Sequence, residues 1–248
     1  MINDKYFLIL GDTIEEMKKI PDNSIDMVLC DLPYGMTHCK WDIIIPFEEL
    51  WEQYDRICKQ KAVVCLFGIE PFSSKIRLSN LDNYRYDWIW EKTQGTGHLN
   101  ASRMPLRCHE NISVFYRKTP TYNPIKTNGH KRKVSTAEHK RNTNTGEIYG
   151  KCDNFRDYDS TERYPRSVIT FSSDKQKEHF HPTQKPVSLC QYLIKTYSNE
   201  GDLILDNTMG SGTTGVACIK ENRQFIGIEK EISFFNIAKE RLKKMINE

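Results

Sequence analysis

Two hydrophobic periods alternate along most of this chain. Short apolar runs occupy residues 6–10, 25–30, 62–67, 86–90, 112–116, 203–205 and 225–228. Each has a strand's length and is rich in β-branched or aromatic residues. Between them, apolar residues recur every three or four positions, as on one face of a helix. Ile14, Met17 and Ile20 follow this spacing, as do Phe47, Leu50, Trp51, Tyr54, Ile57 and Cys58. So do Cys190, Leu193, Ile194 and Tyr197, the stretch 213–220, and Phe235, Ala238, Leu242 and Met245. Strands interleaved with helices predict an α/β fold built on a mostly parallel, doubly wound sheet of seven strands.

Residues 119–180 break the pattern: apolar positions thin out and neither period holds. A long interval without elements inside a compact domain reads as an inserted functional module or as a solvated surface loop. The expected organisation is therefore 1–118, the insert 119–180, and 181–248.

Composition narrows the classes. With 248 residues the chain can bury a substantial core without staples. No apolar run approaches the roughly 20 residues that span a bilayer. The first residues lack the basic-then-apolar pattern of a secretory signal. Lys and Arg number 36 against 33 Asp and Glu, so the net charge of +3 alone gives no sign of nucleic acid. Its distribution does: in 126–141, Lys126, Lys131, Arg132, Lys133, Lys140 and Arg141 face only Glu138, a local +5. Aromatic residues recur just beyond, at Tyr149, Phe155, Tyr158 and Tyr164.

The eight cysteines, Cys30, Cys39, Cys58, Cys65, Cys108, Cys152, Cys190 and Cys218, contain no C-x-x-C pair. Several lie inside apolar runs, which suits buried thiols in a reducing compartment. His130, His139, Cys152, His179 and His181 match no common zinc spacing, so no metal is expected.

Three motifs carry chemistry. Asp206-Asn-Thr-Met-Gly210-Ser211-Gly212-Thr213-Thr214 joins a strand to a helix. Glycines there let backbone approach a ligand, and a helix start offers N–H donors. Downstream, Phe225-Ile-Gly-Ile-Glu229 is a strand ending in an acid, the place from which a carboxylate reaches ribose hydroxyls in nucleotide-binding folds. The alternative is a tight turn and a surface Glu. Asp31-Leu32-Pro33-Tyr34-Gly35 ends another strand. A carboxylate, a rigid carbonyl and an aromatic face suit a planar amine; a common Pro-containing turn suits the pattern equally. His181-Pro-Thr-Gln-Lys185-Pro186 opens a helix, with Lys185 placed for a ligand carboxylate or simply exposed.

In this order the three motifs resemble the β class of amino-methylating DNA methyltransferases, over nearly the whole chain. Gly11-Asp12 and Arg163-Tyr-Pro-Arg-Ser-Val-Ile169 add to the likeness. The resemblance implies the seven-stranded sheet of S-adenosylmethionine (AdoMet)-dependent methyltransferases, circularly permuted, with an inserted target recognition region. It implies transfer of a methyl group from AdoMet to the N6 amine of a flipped adenine, with cytosine N4 as the alternative. A protein glutamine methyltransferase and a non-catalytic DNA-binding module fit less well.

By the same resemblance Asp31, Leu32 (through its carbonyl), Pro33 and Tyr34 hold the target base. Asp206, Gly210, Ser211, Gly212, Thr213 and Thr214 wrap AdoMet. Glu229 takes its ribose, Asp12 lies near its adenine, and Lys185, with Thr183, lies near its methionine carboxylate. Lys131, Arg132, Lys133, Lys140 and Arg141 become phosphate contacts, and Arg163 and Arg166 base-edge readers. The implied partner is double-stranded DNA, with a homodimer and a cognate restriction enzyme as further expectations. The implied place is the cytoplasm of a bacterium or a phage-infected bacterium. Two positions depart from the family pattern: Leu32 replaces a first Pro, and Asn207-Thr208 replaces Pro-Phe beside the cofactor.

Overall fold

The structure, a computed structural model, describes residues 2–3, 5–37, 39, 42–143, 155–172 and 184–247. Tyr149, Cys152, His179, His181 and Thr183, named above, lie outside the described residues. The chain divides into two units, residues 1–123 with 167–248, and Pro124–Arg166.

The larger unit is built on one nine-stranded sheet. Its strands in chain order are β1 (Ile2–Asn3), β2 (Tyr6–Leu10), β3 (Ile25–Cys30), β4 (Cys58–Gly68), β5 (Tyr84–Thr96) and β6 (Arg107–Phe115). The smaller unit holds β7 (Lys133–Ser135) and β8 (Tyr158–Ser160), and β9 (Val168–Phe171), β10 (Leu203–Asp206) and β11 (Gln224–Glu229) return to the main sheet. The strand order is β1-β2-β11-β10-β3-β4-β6-β5-β9. All seven expected strands are present. Short β1 and β9 extend the two edges; neither has enough apolar residues to stand out in the sequence. From β2 through β11, β10 and β3 to β4 every pairing is parallel. β6 turns antiparallel to β4 and β5, and β9 runs parallel to β5.

Successive residues of the central strands point to opposite faces. Met27 and Leu29, with Val63, Cys65 and Phe67, enter one core with Leu189, Leu193, Val216 and Leu242. Those last four come from α5 (Val187–Tyr197), α6 (Thr213–Lys220) and α7 (Ile232–Asn247). Val28 and Cys30, with Val64 and Leu66, enter the other core with Met17, Leu50, Tyr54 and Phe72. These come from α1 (Thr13–Met17), α2 (Phe47–Ile57) and α3 (Phe72–Leu78). Burial on both faces explains why the strands read as continuous apolar runs rather than alternating ones.

Cys30, Cys58, Cys65, Cys190 and Cys218 are buried free thiols, whereas Cys39 and Cys108 are exposed. Burial pushes the Cys58 thiol up to about 12, so it stays protonated.

The smaller unit pairs β7 with β8 in a short antiparallel ribbon, beside α4 (Ala137–Thr143). It lies inside the expected insert 119–180, the later part of which contains β9 of the main sheet.

Candidate active site

The parallel strands end on one side, and the chain order reverses between β10 and β3. That is where open α/β sheets form a ligand crevice. A cavity of about 780 Å³ lies there, within the roughly 300–1,000 Å³ range of small-molecule sites. Following the strand order, its wall runs from Asp12 and Glu229, past Asp206–Ser211, Thr213, Thr214 and Asp31–Tyr34, to Glu110 and Lys92.

The glycine loop is held from several directions. Gly212 caps α6 at φ +77°, and a Cβ there would lie 2.9 Å from the Ala238 Cβ. Only glycine accepts both conditions. The Gly210 N–H donates to Glu229 Oε2 at 2.8 Å, and the Glu231 N–H to Glu229 Oε1 at 2.8 Å. Burial nevertheless leaves the Glu229 carboxyl above its ordinary range. Arg241 on α7 donates to the Ser211 carbonyl at 2.6 Å and the Ser211 hydroxyl at 3.1 Å. Burial raises the Asp206 carboxyl to about 7, against bonds from Thr214, the Thr208 N–H and Cys30.

Glu229 reaches its neighbour through backbone as well. Leu10 is paired with Glu229, and the Gly11 N–H donates to the Glu229 carbonyl at 3.0 Å. Asp12 therefore stands beside Glu229, as the permuted order implies. Its Oδ1 caps α1 by accepting the Ile14 N–H at 3.0 Å. Glu15, three residues on, accepts from Lys18 at 2.7 Å.

Asp31 follows β3 directly. Its Oδ1 accepts the Tyr34 hydroxyl at 2.5 Å and its Oδ2 the Lys185 ammonium at 2.6 Å. Burial raises the Asp31 carboxyl; the Lys185 charge opposes this, and the neighbouring Glu110 charge adds to it. The Tyr34 ring leans on Phe72, with centroids 4.8 Å apart. Leu32 keeps its side chain in the core, which a proline at that position could not fill so far.

Thr208 joins the two motifs. Its hydroxyl donates to the Asp31 carbonyl at 3.0 Å and lies 2.9 Å from the Cys30 thiol. The departure from Phe thus replaces an apolar contact with a tie between β3 and β10. Asn207 is fully buried: its Oδ1 accepts the Tyr54 hydroxyl at 2.6 Å and its carbonyl the Thr13 hydroxyl at 2.5 Å.

Lys185 is placed differently from the expectation. Its ammonium lies between Asp31 and Glu110, 3.2 Å from Glu110 Oε2, rather than reaching only toward a cofactor carboxylate. Two buried carboxylates outweigh its own desolvation and raise its pKa. Sequence reasoning missed Glu110, Lys92 and Asp42. Asp42 accepts the N–H groups of Gly35, Met36 and Thr37 at 2.7–2.9 Å and so fixes the loop after Tyr34. Although burial opposes it, these bonds hold its carboxyl below the usual range.

In the smaller unit Lys131, Lys133, Arg141 and Arg166 are exposed. Arg132 forms a two-pronged pair with Asp159 at 2.7 and 2.5 Å. Lys140 donates to the Arg156 carbonyl at 2.6 Å. Arg163, expected to read base edges, is instead turned inward. Its guanidinium donates to the carbonyls of Ser160 (3.1 Å), Glu162 (2.6 Å) and Lys131, where it holds the ribbon together.

Among known proteins, a family model described as DNA methylase, of the N6/N4 type, matches residues 25–240. The type II methyltransferase M.HpaI of Haemophilus parainfluenzae is 29% identical over 253 residues, covering 97% of this chain and 75% of that protein. The DNA adenine methyltransferase YhdJ of Escherichia coli (strain K12) is 28% identical over 255 residues, covering 97% and 83%. Among solved structures, the M1.HpyAVI–SAM complex has a TM-score of 0.66 at 24% identity, covering 96% of this chain and 98% of that one. The cytosine-N4-specific PvuII DNA methyltransferase has a TM-score of 0.64 at 14% identity, covering 98% and 92%. These structures share the fold, and the family match spans both the Asp31 motif and the glycine loop: the chain belongs to the N6/N4 DNA methylase family.

Proposed function

We propose that this DNA methylase transfers the methyl group of AdoMet to the N6 amine of an adenine flipped out of duplex DNA. One observation supports the reading: the Thr208 hydroxyl bonds the Asp31 carbonyl, and the Asp31 carboxylate and the glycine loop line one cavity. The residues present fit AdoMet. Gly210 lines the cavity at a positive φ, Thr213 and Thr214 line it too, and Glu229 offers a carboxylate fixed by backbone donors. Bound there, AdoMet supplies a methyl group on a sulfonium.

The chain's own residues then do three things. Asp31 and the Leu32 carbonyl accept the two N–H bonds of the amine. This favours a pyramidal nitrogen whose lone pair points at the methyl, so catalysis is mainly positioning. The proton that the amine gives up on methylation would pass to Asp31, whose carboxyl burial has made more basic. Tyr34 stacks on the flipped base, repaying roughly 1–3 kcal/mol of the unstacking. No enzyme–base bond is required, so the buried cysteines stay out of the chemistry.

YhdJ is named a DNA adenine methyltransferase, and the Asp of D-L-P-Y fits that choice over cytosine N4. Incubation with labelled AdoMet and DNA, followed by nucleoside identification, tests the target: N6-methyladenine is expected, and N4-methylcytosine would select the alternative. Asp31→Ala is expected to lower methylation at least about 100-fold while AdoMet binding persists. Full activity in that variant would sink the assignment.

The reading places the enzyme in the cytoplasm of a bacterium or phage-infected bacterium. Its relatives are bacterial type II methyltransferases, and among the described residues no helix is long and apolar enough to cross a membrane. It extends to a homodimer, tested by light scattering, and to a cognate restriction enzyme, tested by whether methylated DNA resists cleavage.

A further inference from the structure

Glu110 and Lys92 occupy positions where apolar residues are expected. On β6, Val114 and Ile112 enter the core, and Glu110 is next in that row. On β5, Trp88 and Trp90 enter the same core, and Lys92 is next in theirs. Glu110 lies opposite Trp90, one residue beyond the last pairing of β4, Gly68 with Asn111. Charges so buried persist only when paired.

The pairing forms a chain. Lys92 lies 2.5 Å from Glu110 Oε1, Lys185 lies 3.2 Å from Glu110 Oε2, and Lys185 donates to Asp31 Oδ2 at 2.6 Å. Two carboxylates and two ammonium groups balance. The bonds are unequal, however. The buried Glu110 Oε2 has no well-formed hydrogen bond among the described residues, while the Lys185 ammonium leans toward Asp31. With Tyr34 on Oδ1 and Lys185 on Oδ2, both Asp31 oxygens already hold a donor on the cavity wall.

We propose that Glu110 is a positioning residue whose Oε2 takes over the Lys185 ammonium when the target amine arrives, handing Asp31 from one N–H donor to the next. The proposal rests on the reading of Asp31 as the amine acceptor. Neither carboxylate stands unpaired during the exchange, because the donor lost by one is gained by the other. Lys92 fixes Glu110 through Oε1, leaving Oε2 for Lys185. The Phe67 and Tyr34 rings, with centroids 5.3 and 5.8 Å from the ammonium, flank it. Burial pushes the Glu110 carboxyl up, yet Lys185 and Lys92 hold it below its usual range, so it remains an ionised acceptor. The charged and titratable groups around Asp31 are Cys30 on β3, Tyr34, Lys185 before α5, Cys190 on α5, Glu110 on β6 and Asp206 on β10.

The test uses the full chain, labelled AdoMet and a mixed pool of unmethylated plasmid DNA. Glu110→Gln is expected to lower kcat roughly 100-fold with AdoMet affinity unchanged, because Lys185 then stays on Asp31. Lys185→Met removes the ammonium paired with Asp31, so the acid limb of its rate profile moves to higher pH. Above that limb, the double variant Glu110→Gln/Lys185→Met is expected to be at least about tenfold faster than Glu110→Gln alone, since the blocking donor is gone. Wild-type kcat in Glu110→Gln, or a double variant no faster than that single, overturns the proposal. Should Glu110→Gln lose AdoMet binding or fail to fold, Glu110→Asp, which keeps the charge but retracts it, is read the same way. A kcat loss reversed by Lys185→Met supports the exchange, and one not reversed overturns it. Asp31→Ala is run in parallel. If it retains activity, the reading of Asp31 fails; if it is inactive while Glu110→Gln is wild-type, only the role of Glu110 fails.

Discussion

The strand-end cavity and the inserted unit are both rich in charge, and they treat it in opposite ways. In the cavity, Lys185 is 8% exposed and Asp206 4%, and the partners of Lys185, Asp31 and Glu110, come from strands or loops distant in sequence. In 124–166, the Lys126–Glu162 and Arg132–Asp159 pairs lie at the surface, as do Lys131, Lys133 and Arg141. Burial makes a charge expensive and therefore fixed, so its protonation can be tuned for one step of chemistry. Solvent makes a charge cheap, screened and open to a new partner, which suits attraction to phosphates.

The largest expected effect that tests this contrast is on stability, at Asp206. Its carboxyl lies near 7 in the fold against an ordinary 3.8. A raised acid contributes stability that is present below about 4 and lost as pH rises through about 7. Asp206→Asn is therefore expected to remove this loss, making the ligand-free protein more stable than wild type above pH 7 by roughly 4 kcal/mol. Urea unfolding at pH 5 and pH 8 measures it, and parallel curves for the two proteins would show that the cavity does not tune its charges.

Next comes Gly212→Ala. The positive φ and the contact with Ala238 are expected to cost about 2–3 kcal/mol of stability and to abolish AdoMet binding, read by thermal unfolding and titration calorimetry. An unaffected affinity would remove the glycine loop from the donor site. In the insert, Lys131→Ala/Lys133→Ala/Arg141→Ala is expected to leave AdoMet affinity unchanged. The same variant should flatten the log–log dependence of DNA affinity on salt by up to about 2.7, or 0.9 per phosphate contact. An unchanged slope would deny the insert its part in holding DNA. Smallest is Arg132→Ala: Asp159 already engages this guanidinium, so the slope is expected to move by less than about one contact.

The parts legible in the sequence were those coded locally. Apolar runs located the strands, and Gly210, Gly212 and Asp31 stood out because each motif is contiguous. The parts not legible depended on pairing. That Lys185 meets Glu110 follows from β6 turning antiparallel beyond β4, a register no local pattern encodes. A signal existed at Glu110 and Lys92, charges continuing core-facing rows, but it needs strand boundaries to be read. Arg163 is the reverse case: its type suggested recognition, while the carbonyls of Ser160, Glu162 and Lys131 that occupy it were invisible.

The strand order has a consequence for synthesis. β10 and β11 lie between β2 and β3, yet both are translated after every other strand. A growing chain therefore carries β2 and β3 with open edges, and the sheet closes only when residues 203–229 leave the ribosome. Non-local pairing of this kind is slow and exposes apolar surface meanwhile. The glycine loop arrives on the same segment that closes the sheet. A nascent chain thus has no assembled donor site before its fold is complete, and the enzyme cannot mark DNA while unfinished.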